Sequence, residues 1–103
     1  MIVRLEAVSR RPFNVAVFDA IEAVSACDGW VKDHRAYSGL MAVIAFEMPA
    51  SRFEAFVAAL LRGGIRADPP PRWPAGEGDV PGQLVITFAD GGADIRRTIP
   101  AVG

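Results

Sequence analysis

Very few side chains in this sequence carry reactive chemistry, and where they fall decides which functions are open. The single histidine, His34, stands between Asp33 and Arg35. An imidazole beside a carboxylate can serve as a general base. In an extended segment, however, neighbouring side chains point to opposite faces, so Asp33 and His34 cannot form a dyad and a surface histidine is the favoured reading. The single cysteine, Cys27, has no sequence neighbour that would lower its pKa and reads as a small hydrophobe at a helix end. Arg10 and Arg11 precede Pro12, Phe13 and Asn14, at the start of a predicted helix. Guanidinium groups and unpaired backbone N–H groups there suit a carboxylate or a phosphate, and the plainer reading is a pair of solvated loop arginines. Trp73 lies in a Pro-rich loop, where an aromatic either closes over a ligand or pins the loop to the core. No catalytic residue, metal ligand or cofactor motif emerges from these residues.

The bulk properties narrow the field further. A chain of 103 residues encloses one core and is too short for two. With 51% hydrophobic and 22% charged residues it has the make-up of a soluble globular domain. A formal charge of −1 offers no basic field for nucleic acid or an anionic membrane surface. One cysteine excludes an internal disulfide and any cysteine-cluster metal site. No apolar run approaches the roughly 20 residues of a membrane span, and the opening segment is strand-like rather than signal-like, so a cytoplasmic location is expected.

The elements that must position these residues are read from periodicity. Residues 1–8 alternate as a strand with one face on the core. Pro12 breaks it, and a helix is predicted from about Asn14 to Cys27, with Asn14 as N-cap, Val17, Ile21 and Val24 as the buried stripe and Phe18 at its flank. Residues 30–37 carry Lys32, Asp33, His34 and Arg35 and suit a sheet edge. Residues 40–46 form an almost unbroken apolar run, as a central strand should. Ser51-Arg52-Phe53-Glu54 has capping-box spacing, and Phe53, Phe56, Val57, Leu60 and Leu61 make the stripe of a second helix that Gly63-Gly64 ends. Residues 68–82 are crowded with Pro and Gly and read as a long loop. Residues 83–88 alternate as a strand, and Asp90-Gly91-Gly92 suggests a hairpin returning over 94–99.

The order is that of an α+β ferredoxin-like split βαββαβ domain, an antiparallel sheet with both helices on one face, with a core at 1–68 and a C-terminal β-hairpin at 83–100. Within it, Arg10-Arg11-Pro12-Phe13 at the first turn, Val15 to Val24 in the helix and Asp28-Gly29-Trp30-Val31 at its end give residues 1–68 a resemblance to the ACT domain. AVIAFEMP as third strand and FEAFVAALLRGGI as second helix and exit extend it. Phe13 stands where that family has a glycine. The resemblance implies a non-catalytic regulatory module sensing a small, amino-acid-like ligand, with Arg10, Arg11, Phe13 and Asn14 as the ligand-binding residues. The alternative is a small dimeric enzyme, monooxygenase-like, with an apolar pocket on the open sheet face and His34 as the residue to test. Metal-carrier, RNA-recognition and acylphosphatase-like activities of this shape lack their paired cysteines, stacking aromatics and Gly-rich loop respectively. A homodimer is expected, because Met41, Val43, Ala45, Val8 and Val85 would share the uncovered face.

Overall fold

A computed structural model describes residues 2–88. Strand β1 (Val3–Ser9) leads to helix α1 (Phe13–Ala26), strands β2 (Trp30–Tyr37) and β3 (Met41–Pro49), and a 3-10 turn (Ala50–Arg52). Helix α2 (Phe53–Arg62), the short strand β4 (Ile65–Ala67) and strand β5 (Asp79–Phe88) follow. The class is α+β. The five strands form one sheet in the order β2-β3-β5-β1-β4.

That order corrects the expected simple antiparallel sheet. β5 is inserted between β3 and β1, antiparallel to the first and parallel to the second. Its inward residues Gly82, Leu84, Ile86 and Phe88 are buried, as a strand with neighbours on both sides requires. Pro81 falls where β5 has run past the start of β1, whose pairing begins at Val3 opposite Gly82, so the missing N–H costs no bond on that side. The predicted hairpin turn and its return strand lie outside the described residues.

Strict alternation puts Val3, Leu5 and Ala7 of β1 and Ala42, Ile44, Phe46 and Met48 of β3 into a single core with both helices. From α2 the core receives Phe53, Phe56 and Leu60, while Leu61 is exposed, so the stripe is narrower than predicted. Gly64 follows the helix at φ 87°, a conformation a Cβ would strain. The helix starts differ from expectation. Pro12, not Asn14, precedes α1, and no side chain caps it. Nor does a capping box form at α2, where the 3-10 turn takes over the approach and no cap hydrogen bond is made. The buried Ser9 hydroxyl instead holds the β1–α1 turn, accepting from the Arg11 N–H at 3.0 Å and donating to the Arg11 carbonyl at 3.1 Å. At the other end of α1, Arg52 reaches back to the Ala26 carbonyl and lies 3.4 Å from the Asp28 carboxylate. A cation there satisfies a helix C-terminus.

Trp73 is half-buried against the core. That contact is what the loop-anchor reading requires.

Candidate functional site

The seat of α1 on the sheet creates the most distinctive concavity. The helix is buried through Ala16, Ala20, Ala23 and Val24, so of the expected Val17–Ile21–Val24 stripe only Val24 is fully buried. Alanines let the helix axis approach the sheet closely, which rotates the bulkier residues sideways. Val17 and Ile21 become half-buried, and Phe18 is left 63% exposed.

These displaced residues face the edge strand β2. The register places His34 opposite Ile44 and Ala36 opposite Ala42, so both lie on the helix side of the sheet. No described helix covers them, and both are exposed. Between α1 and β2 runs a groove of about 380 Å³. Phe13, Asn14, Val17, Phe18 and Ile21 line one wall, with His34, Ala36 and Ala42 opposite. Phe13 is held at one end by the Phe88 ring, with centroids 5.1 Å apart. Arg35 also borders the groove, but its guanidinium pairs at 3.2 Å with Asp33, a residue of the opposite face. Polar side chains lining the groove, apart from Arg35, are the Asn14 amide and the His34 imidazole. At the Phe13–Asn14 end α1 also has first-turn N–H groups that precede its first helical bond, from the Ala16 N–H to the Pro12 carbonyl at 2.9 Å.

The four sequence-predicted ligand residues are divided. Phe13 and Asn14 lie in this groove. Arg10 lines a separate cleft of about 640 Å³ with Val8, Leu61, Gly64 and Arg66, and its backbone N–H donates to the Gly64 carbonyl at 3.2 Å. The Arg11 side chain lies over Gly64, its Cγ 3.0 Å from where a Cβ would stand. His34 is likewise displaced from its expected role. It sits on the helix side rather than on the open sheet face, so it cannot serve a pocket there. What sequence reasoning missed is the apolar wall of Val17, Phe18 and Ile21. The run of alanines at 16, 20 and 23 was the available signal, since small residues at helical spacing mark a close-packed face as well as large ones do.

Cys27 is buried at the end of α1. Burial pushes its thiol above the ordinary range, partly offset by the nearby Arg52 guanidinium, which makes it an unreactive side chain in the folded state. Among the described residues no group of three or more His, Cys, Asp or Glu side chains is placed to hold a metal ion. No described helix is long and apolar enough to cross a membrane. Comparison with known proteins returned no matching family model, no matching curated protein and no matching solved structure.

Proposed function

We propose that the chain is a non-catalytic small-ligand-binding module, regulatory in the manner of an ACT domain, whose ligand lies in the groove between α1 and β2. The observation that carries this reading is the mostly apolar wall of Val17, Phe18 and Ile21 facing the edge strand, with Asn14 on the same wall and His34 opposite as polar groups. Concave apolar walls with a few convergent polar groups are the usual form of a small-molecule site. Such a groove takes a molecule with an apolar body and a head that accepts hydrogen bonds, and an apolar amino acid has both. The body would lie along Val17 and Ile21, and its carboxylate would meet the first-turn N–H groups of α1.

The fold supports the same reading at a coarser level. With β5 set aside, β2, β3, β1 and β4 keep the order of a split βαββαβ sheet, which the fifth strand has opened. The enzyme alternative, which needed His34 on the open face, loses that residue.

A thermal-shift panel of apolar, polar and charged amino acids tests the proposal. Ligand at 100 times its Kd stabilises by about 2.7 kcal/mol. Apolar members should raise Tm, and Phe18→Glu, a change at an exposed position, should abolish the rise. A panel without any shift defeats the proposal. So does a shift that survives Phe18→Glu but disappears in Arg10→Ala, which would place the ligand in the other cleft.

A further inference from the structure

The sheet face opposite the helices is patterned across four strands, and the pattern is complementary to itself. The registers align three rows. In one, Arg35, Val43, Val85 and Glu6 stand side by side on β2, β3, β5 and β1. In the next, Asp33, Ala45, Gln83 and Arg4 do so. In the third come Tyr37, Met41, Thr87 and Val8. The first row is apolar at its centre, with a cation on β2 and an anion on β1; the second reverses those signs. Val85 is only 9% exposed although no described helix or strand lies over it. The end charges, by contrast, belong to solvent-facing ion pairs, Arg35–Asp33 at 3.2 Å and Arg4–Glu6 at 3.4 Å. The relief matches the charge. Asp33, Arg35 and Tyr37 border a trough of about 260 Å³ over Val43 and Ala45, whereas Arg4, Glu6 and Val8 on β1 are exposed.

We infer that this face binds a second copy of the chain about a twofold axis that lies in the interface, parallel to the strands, between β3 and β5. Rotation about that axis lays each row on the same row of the partner, end for end. Val43 meets the partner's Val85. Arg35 meets the partner's Glu6, Asp33 meets the partner's Arg4, and the trough over Val43 and Ala45 lies opposite the partner's Val85 and Gln83. Face-to-face sheets stand about 10 Å apart, a gap that Arg and Glu side chains bridge from both sides. An isologous contact of this kind uses each pair twice. A twofold running across the strands would also oppose unlike charges, but it would set Met41 over the partner's Glu47.

The test uses the full chain, one variant at the centre of the face, and two at its exposed ends. Wild type should elute with light scattering at twice the chain mass and dissociate on dilution more readily in high salt. Val43→Lys should be a monomer with unchanged helical circular dichroism. Arg35→Glu and Glu6→Arg should each weaken self-association by at least about tenfold, because each sets two like-charge pairs across the axis. Mixed together, the two variants should form a heterodimer well in excess of either homodimer, since every charge then meets its opposite. A wild type that is monomeric at all concentrations overturns the inference. A mixture without heterodimer preference overturns the axis, because a twofold across the strands leaves as many repulsive pairs in the mixed dimer as in either homodimer.

Discussion

Replacing Gly82 by alanine probes the least expected feature of the fold, the insertion of β5 beside β3. Gly82 pairs with Phe46 across the two strands, and the far end of the Phe46 ring lies against it. A Cβ built at Gly82 would stand 2.4 Å from Cζ and 2.6 Å from Cε2 of that ring, where ordinary carbon contacts are about 3.5–4.0 Å. The ring would have to withdraw by about 1 Å. It has nowhere to go, because Phe46 is fully buried and tilted against Phe53 and Phe56 with centroids 5.8 and 5.1 Å away. Overpacking a close-fitted core costs about 1–3 kcal/mol, and alanine returns about 0.5–1 kcal/mol through its lower unfolded-state entropy. A net loss of about 1–2 kcal/mol corresponds to a Tm lower by about 5–15 °C in a domain of this size. Urea titration followed by circular dichroism measures it. A second variant isolates the cause: Phe46→Leu gives the new methyl room, so the double variant should lose clearly less than the sum of the single losses. A Gly82→Ala protein as stable as wild type, or strictly additive losses, would refute the pairing of β5 with β3.

Four further outcomes follow from the packing. Leu60→Ala removes a side chain buried at the centre of α2 and should cost about 2–5 kcal/mol, whereas Glu54→Ala, which breaks no cap bond, should stay within about 0.5 kcal/mol by the same titration. Ser9→Ala deletes both hydroxyl bonds of the β1–α1 turn and should cost about 1–3 kcal/mol in urea. Ala20→Leu forces α1 off the sheet and should lower stability by about 1–3 kcal/mol, while Phe18→Ala at the exposed position should be near neutral; equal effects would mean that α1 is turned the other way. Because burial raises the Cys27 pKa, the folded thiol stays protonated where the unfolded one ionises. The thiol's contribution is intact below its ordinary value of about 8.5 and is lost as pH rises through the folded value, so urea midpoints should fall above about pH 8.5 more steeply for wild type than for Cys27→Ala.

The sequence was most legible where one face of an element is buried and the other is not. Alternation along β1 and β3, and the Phe53–Phe56–Leu60 spacing, gave those elements and their inward faces correctly, and the five residues expected on the uncovered face do share it. Pairing was not legible, because the period of β5 states which of its faces is buried and nothing about its neighbours; only contact between strands decides that. β4, a strand of three residues, is too short for any period to register. The site was half visible. Phe13 and Asn14 reached the groove because they begin α1, but the side from which α1 meets the sheet depended on alanines whose small size makes them weak signals one at a time. Arg10 and Arg11 diverge because the bend falls on these two residues themselves; the turn was expected there, but the direction in which each side chain leaves it is set by packing against α2 and β4, which no residue spacing states.

Amide chemical-shift mapping tests ligand occupancy of the α1–β2 groove. The full chain, labelled with nitrogen-15, would be titrated with the apolar amino acid giving the largest thermal shift. The expected result is saturable shifts clustered at Phe13 to Ile21 and at His34 to Ala36, with the amides of Arg10, Leu61 and Arg66 unmoved. Shifts centred on that second cluster, or no saturable change anywhere, would contradict it.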